Sequence, residues 1–156
     1  MYKINVIAVG NLKEDYFIAA AEEYKKRIGA FCKLEVYELD EYKLTDESSS
    51  SIRKALSEEG KNILKKAGSG RIILLDIAGR ETSSEQFSSL MTSELDKGEV
   101  NFVIGSSYGV SDEVRKAANL RISLGRITLP HRLARIVLLE QIYRGFTIAG
   151  GRSYHK

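Results

Sequence analysis

The sequence predicts an α/β fold, a mostly parallel sheet with helices on both faces, and two features carry that reading. The runs INVIAV, RIILL and NFVI are near-continuously apolar and rich in β-branched residues, as strands covered on both sides require. Between them, apolar residues recur at helical spacing, so strands and helices alternate along the chain.

The first strand is predicted from Lys3 to Val9, closed by Gly10. Asn11 is placed to cap the next helix with Glu14 reaching back, and Tyr16, Phe17, Ala20, Tyr24 and Ile28 give it one apolar face over 13–28 before Gly29. Leu34, Val36 and Leu39 mark a second strand. The polar stretch DEYKLTDESSSS that follows has too little apolar content to pack and is expected to be mobile. A helix over 52–67, interrupted by Gly60, ends at the Gly68-Ser-Gly turn. RIILLDIAGR reads as a third strand. Ser83 with Gln86 forms a capping box for a helix to about Asp96, and NFVI is the next strand. Ser111, with Asp112 and Glu113 in the first turn, starts a short helix; a strand over 121–124 follows. Pro130 suits the first turn of the last helix, which extends to about Ile148.

At 156 residues the chain is expected to be one domain that buries a core without staples. Cys32 is the single cysteine and the histidines number two, so neither an internal disulfide nor a zinc cluster is expected. A reducing cytoplasm fits this usage. No apolar run approaches the roughly 20 residues that cross a bilayer, so the protein is expected to be soluble. The net charge of +3 hides a polarised molecule: residues 115–156 carry nine basic side chains against Glu140 alone, a net +8, while residues 1–114 carry −5. A single-signed basic end is the footprint of a phosphate-bearing partner, most often nucleic acid, or else a solvated basic surface.

In an open parallel sheet, ligands bind at the carboxyl ends of the strands, here the loops after Ile77, Ile104 and Leu124. Neither G-x-G-x-x-G after the first strand nor G-x-x-x-x-G-K-[ST] occurs, which removes ordinary dinucleotide and P-loop readings. Glycines in Gly105-Ser-Ser-Tyr-Gly109 permit close backbone approach to a ligand or merely a tight turn. Glu140 and Arg144 form a favourable i,i+4 pair. Arg135 projects into the apolar face of Leu139, Ile142 and Phe146, where a charge needs a partner. The last helix is apolar all round, and a homodimer interface accounts for this economically, with burial inside one chain as the alternative.

Taken together, FVIGSSYG, TLPHR, LLEQIYRG and the terminal SYHK, with the opening IAVGNLK, span the chain in register. They resemble the ribosomal RNA large subunit methyltransferase H family, whose motifs are F-V-I-G-G-S-x-G, T-x-P-H-Q, L-x-E-Q-x-Y-R-A and a terminal Y-H-K. The resemblance implies a SPOUT-class methyltransferase: a homodimer with a C-terminal trefoil knot, over about residues 100–156, that binds S-adenosylmethionine in a bent form. It also implies action on N3 of a pseudouridine in helix 69 of 23S rRNA, on the assembled ribosome. By motif position the cofactor contacts fall on Leu75, Gly105, Leu124, Gly125, Arg126, Ile127, Thr128 and Leu129, with no metal. The N3 proton must leave as the methyl arrives, for which His131, Arg135, Tyr154 and His155 are the candidates, the choice between them remaining open. Arg132, Arg152 and Lys156 are candidate RNA contacts, and the tail is expected to complete the site near the partner subunit's pocket.

Three departures from the family pattern stand out. Ser106 replaces the second glycine, Gly125 stands where serine is frequent, and Arg132 stands where glutamine is common. They offer the one opening to a rival reading, a non-catalytic RNA-binding factor with a degenerate pocket. A hydrolase or flavodoxin-like reading lacks both the G-x-S-x-G elbow and a phosphate loop at the first strand.

Overall fold

A computed structural model describes all residues, Met1–Lys156. The elements are β1 (Lys3–Val9), α1 (Asp15–Ile28), β2 (Lys33–Leu39), α2 (Ser49–Ala67), β3 (Arg71–Glu81), α3 (Ser84–Leu95), β4 (Val100–Ile104), α4 (Asp112–Ala117), β5 (Leu120–Ser123) and α5 (His131–Ala149). The strands make one sheet in the order β2-β1-β4-β3-β5, with every neighbouring pair parallel. The α/β class and the strand–helix alternation expected from the sequence are therefore realised.

Both faces are covered, and the residue pattern shows why. Along β1, Ile4, Val6 and Ala8 point into a core with Phe102, Leu138, Leu139 and Ile142, while Ile7 and Val9 point the other way toward Ile63, Val103 and Val114. A strand that fills two cores at period two has no position left for a polar face. Helices α1, α3 and α5 form the layer on the first side, α5 packing between the other two; α2 and α4 lie on the second.

One polar interaction crosses the sheet interior. Asn5 and Asn101 are register partners on β1 and β4, and Asn5 Nδ2 donates to Asn101 Oδ1 at 2.9 Å. Asn101 Nδ2 in turn donates to the Ala67 and Arg71 carbonyls, each at 3.3 Å.

Several local expectations are met, notably the Ser83–Gln86 capping box, in which Ser83 Oγ accepts from the Gln86 amide and Gln86 Oε1 accepts from the Ser83 amide. Others are corrected. The start of α1 is Glu14 and not Asn11, and no side chain caps it. Both groups are engaged at long range instead, Arg132 donating to the Asn11 carbonyl at 3.1 Å and to Glu14 at 3.3 Å. The serine run expected to be mobile is the first turn of α2, capped by Ser48, whose side chain accepts from the Ser51 amide. Upstream of it, Asp46 accepts from the Ser48 amide and Glu59 from the Tyr42 amide, so side-chain acceptors replace the missing apolar anchors. Gly60 does not interrupt α2. A Cβ there would stand 2.4 Å from Ser111 Oγ, so the bare backbone lets α2 press against the start of α4.

Of the α5 residues, Leu138, Leu139 and Ile142 are wholly buried within one chain, whereas Leu133, Ile136, Val137 and Tyr143 are only partly covered. No helix is long and apolar enough to cross a membrane.

Candidate active site

The carboxyl ends of β3, β4 and β5 meet around a cavity of about 370 Å³, within the ~300–1,000 Å³ usual for small-ligand sites. Apolar walls come from Leu75, Ile77, Ile104, Val110, Ile122 and Leu129. The loop after β4 is shaped by Gly105, where an added Cβ would stand 2.4 Å from the Gly109 carbonyl oxygen, so only glycine allows the turn to close. Past β5, Ser123 Oγ accepts from the Gly125 amide at 3.1 Å and donates to its carbonyl at 2.9 Å, and Gly125 sits at φ 127°. An L side chain adopts that backbone poorly, which accounts for glycine at the departure from the family's serine.

Seven of the eight residues placed at the cofactor by motif position line this cavity: Leu75, Gly105, Leu124, Gly125, Ile127, Thr128 and Leu129. Arg126 does not; it is 90% exposed and pairs with Glu81 at 3.1 Å. Of the proton-transfer candidates, His131 alone borders the cavity. Its Nε2 is buried without a hydrogen-bond partner, lies 4.0 Å from Glu41 Oε1 and faces the bare Cα of Gly10. Burial lowers the His131 pKa, with Glu41 pulling the other way, so the neutral ring is favoured.

The other three lie elsewhere. Arg135 is buried in α5, donating to Glu38 and to the Gly10 carbonyl at 2.8 Å, and this is the partner its apolar surroundings demanded. Burial pushes the Glu38 carboxyl up, but Arg135 and the Leu12 amide more than offset this and its pKa is lowered. The tail folds back on the helical layer, and neither Tyr154 nor His155 lines the cavity of its own chain. The Tyr154 hydroxyl donates to Glu140 Oε2 at 2.8 Å, and burial together with that carboxylate raises its pKa to about 12. His155 Nδ1 lies 3.0 Å from Arg144 Nη1 and its Nε2 lies 2.7 Å from Glu85 Oε1. A guanidinium only donates, so Nδ1 accepts and the ring proton sits on Nε2, pointing at Glu85. Arg132 is held by Asn11 and Glu14, the Arg152 guanidinium lies 4.7 Å over the Phe31 ring, and Lys156 is exposed.

Sequence reasoning missed two polar wall residues, Asp76 and Arg115. Asp76 Oδ2 is buried without a hydrogen bond, and Arg115 and Arg121 stand 3.6 and 3.7 Å from it. The available signal was position: Asp76 directly follows the doubly buried RIILL run, at the ligand-binding end of a parallel strand. An apolar slot with bare glycine backbone and one buried acceptor suits an adenosyl group, which presents a flat apolar ring and hydroxyl donors. No group of three or more His, Cys, Asp or Glu side chains is placed to hold a metal ion.

Comparison with known proteins gives the family. A family model described as a predicted SPOUT methyltransferase matches residues 2–155. The ribosomal RNA large subunit methyltransferase H of Caldicellulosiruptor saccharolyticus is 46% identical over 156 residues, covering 98% of this chain and 99% of that protein. The protein of the same description from Streptococcus pneumoniae is 47% identical over 158 residues, covering 99% of each. Among solved structures, a probable methylase family protein from Haemophilus influenzae aligns with TM-score 0.56 at 15% identity over 98% of this chain and 70% of that one. The tRNA (m1G37) methyltransferase of Aquifex aeolicus aligns with TM-score 0.55 at 16% identity over 91% and 69%; at these identities both speak for the fold alone. With near-complete coverage by the family model and by relatives of this identity, the chain belongs to the SPOUT methyltransferases, in the ribosomal RNA large subunit methyltransferase H family.

Proposed function

We propose that the protein transfers a methyl group from S-adenosylmethionine to N3 of a pseudouridine in helix 69 of 23S rRNA, working in the cytoplasm as a homodimer. The observation that carries the reading is the cavity at the ends of β3, β4 and β5, which seven of the eight motif positions line. Leu75, Ile104, Val110 and Leu129 would wall the adenosyl group, while Asp76 would accept from its hydroxyls. The cofactor supplies an electrophilic methyl. The chain holds it in place, excludes water and takes up the acceptor proton.

His131 is the residue we assign to that proton. It borders the cavity, has a free Nε2, and is kept neutral by burial, three conditions for a base at neutral pH. Tyr154 and His155 have their polar atoms bound to Glu140, Arg144 and Glu85 within the chain, and Arg135 is sealed beneath β1. In a dimer the tail would serve the partner subunit's site, with Arg152 and Lys156 toward rRNA phosphates. The half-covered apolar residues Leu133, Ile136 and Val137 of α5 favour such a partner. A C-terminal knot in a single domain of residues 1–156 fits the path of the chain, which leaves edge strand β5 and returns as α5 against α1 and α3.

The test has two arms. Calorimetry should show S-adenosylmethionine binding at one site per chain, and ribosomes from a deletion strain should gain one methyl at N3 of the pseudouridine, mapped by mass spectrometry. A protein that binds the cofactor and leaves the ribosome unmodified would favour the non-catalytic reading.

A further inference from the structure

A second cavity, of about 430 Å³, adjoins the first at the Ser106–Tyr108 segment. Ser106, Ser107 and Tyr108 line both, and the cavities also touch where Glu41 of the second stands 4.0 Å from His131 of the first. Its apolar wall is Ile52, Ala55 and Leu56 of α2, and Lys43 stands exposed at its edge. Glu59 lines this cavity with only 5% of its surface exposed. One carboxyl oxygen, Oε2, accepts from the Tyr42 amide at 2.9 Å and so ties the loop after β2 to α2. The other, Oε1, is buried with no hydrogen bond of normal length, the Ser106 side chain being near enough to oppose the effect of burial on the carboxyl. A buried carboxyl oxygen left empty is costly, and burial raises the Glu59 pKa accordingly. The close approach of Gly60 to Ser111 fixes α2, and with it Glu59, against the start of α4.

We infer that the second cavity receives the acceptor nucleobase, and that Glu59 Oε1 accepts a ring N–H from its edge, which makes Glu59 a specificity determinant for pseudouridine over uridine. This rests on the methyl transfer proposed above. The chemistry selects the base. When N3 of a uracil ring faces the methyl donor, the one other ring N–H is N1–H. Pseudouridine has it because its sugar is attached through carbon, whereas uridine carries its sugar on N1 and has no proton there. Placing uridine in the cavity would leave Glu59 Oε1 buried and unpaired, the arrangement by which polar sites reject an analogue lacking one donor. His131, which lines the first cavity 4.0 Å from Glu41 of the second, then stands beside the point where N3 meets the methyl, placed to take its proton. Lys43 at the edge suits the phosphate of the extruded nucleotide.

The experiment compares the full-length protein with Glu59→Gln and Leu56→Phe in single-turnover methylation of ribosomes whose target nucleotide is pseudouridine or uridine. Calorimetry with S-adenosylmethionine and thermal melting run alongside. Glu59→Gln should bind the cofactor within about twofold of the parent, methylate pseudouridine ribosomes about tenfold or more slowly, and lose most of the preference for pseudouridine, on the scale of one buried hydrogen bond. Leu56→Phe fills the cavity while keeping the Glu59 carboxyl, and should slow methylation while leaving cofactor binding intact; it decides the matter if Glu59→Gln does not fold. A parent that methylates both nucleotides equally, a Glu59→Gln that slows both equally, or a Leu56→Phe at the parent rate would each overturn the inference. A parent that methylates neither refutes the methyl transfer itself, so the two failures are distinguishable.

Discussion

Two stretches of the basic C-terminal segment, only some 20 residues apart in sequence, are built on opposite terms. The loop from Ser123 to His131 ends in open chemistry: Gly125 has bare space around its Cα, Ile127 is 82% exposed, and His131 Nε2 has no partner. The tail beyond Gly150 spends its polar groups within the chain. The Arg152 amide returns to the Thr147 carbonyl, Tyr154 stacks edge-on to Tyr143 at 4.8 Å while bonding Glu140, and His155 bridges Arg144 and Glu85. A site for a ligand must leave its donors and acceptors unspent, since each internal partner has to be broken before an external one is made. By that measure the loop is ready in one chain and the tail is not. To act on RNA, the tail must present a face other than its bonded one or release those contacts.

The sharpest break in the comparison is Gly105→Val. The turn after β4 has no room even for a Cβ, so the loop itself must deform, and S-adenosylmethionine binding should weaken by roughly 100-fold or more, ~2.7 kcal/mol. Calorimetry showing binding within a few-fold of the parent would move the pocket elsewhere. Next comes Arg135→Leu, which removes the partner of Glu38 and of the Gly10 carbonyl. Denaturant unfolding should register a loss of about 3 kcal/mol, toward the low end for a broken buried pair because Glu38 is partly open to water. Cofactor affinity of the folded fraction should hold; a variant of full stability that fails to bind would shift Arg135 from scaffold to site.

Truncation after Gly151 removes the packed tail. The expected loss is about 2 kcal/mol, chiefly from the Tyr154–Glu140 hydrogen bond and the Tyr143 ring contact, the more exposed His155–Glu85 contact adding little. Cofactor binding should survive and ribosome methylation should fall. An unchanged melting temperature would show that the tail contacts are not held in solution. The smallest effect concerns pH. His131 has a folded pKa below its unfolded value near 6.5, so the unfolded chain binds the extra proton, and stability should fall as pH drops through about 6.5. Glu38 and Glu140 are shifted down as well, so they act with the same sign, but as carboxylates their contribution is lost only at more acid pH. His131→Asn should flatten the first window and leave the second; a parent already flat between pH 5 and 7 would contradict a buried neutral ring.

Much of the fold was legible because it is written in local patterns. Doubly apolar runs can only be central strands, and Ser83, Ser111 and the glycines punctuate the helices where they fall. The cavity walls were legible for the same reason, since ligand sites in parallel sheets collect at strand ends. What could not be read were interactions that join distant segments. Asn11 looked like a helix cap because nothing local shows that Arg132, 121 residues away, claims its carbonyl. The serine run looked unstructured because its anchors are backbone amides donating to the Asp46, Ser48 and Glu59 side chains rather than apolar contacts. Glu59 itself resembled any surface acid on an amphipathic helix, and only the approach of α2 to α4 seals it.

The paired amides of Asn5 and Asn101 also bear on how the sheet finds its alignment. β1 and β4 lie 96 residues apart along the chain and must meet without a turn to guide them, in a stretch where Ile, Val and Phe would pack almost equally well two residues out of step. A parallel pairing between such distant segments forms late and slowly. Sliding by two places would bury both amides against hydrocarbon with nothing to bond, whereas the native alignment joins them to each other and to the Ala67 and Arg71 carbonyls. The pair therefore acts as a proofreading key for assembly. It adds little to the depth of the native well while raising the competing wells, so replacing both amides together, Asn5→Leu with Asn101→Leu, should leave equilibrium stability nearly unchanged and increase the fraction of chains that aggregate during refolding, whereas Asn101→Val alone strands the Asn5 amide and should destabilise.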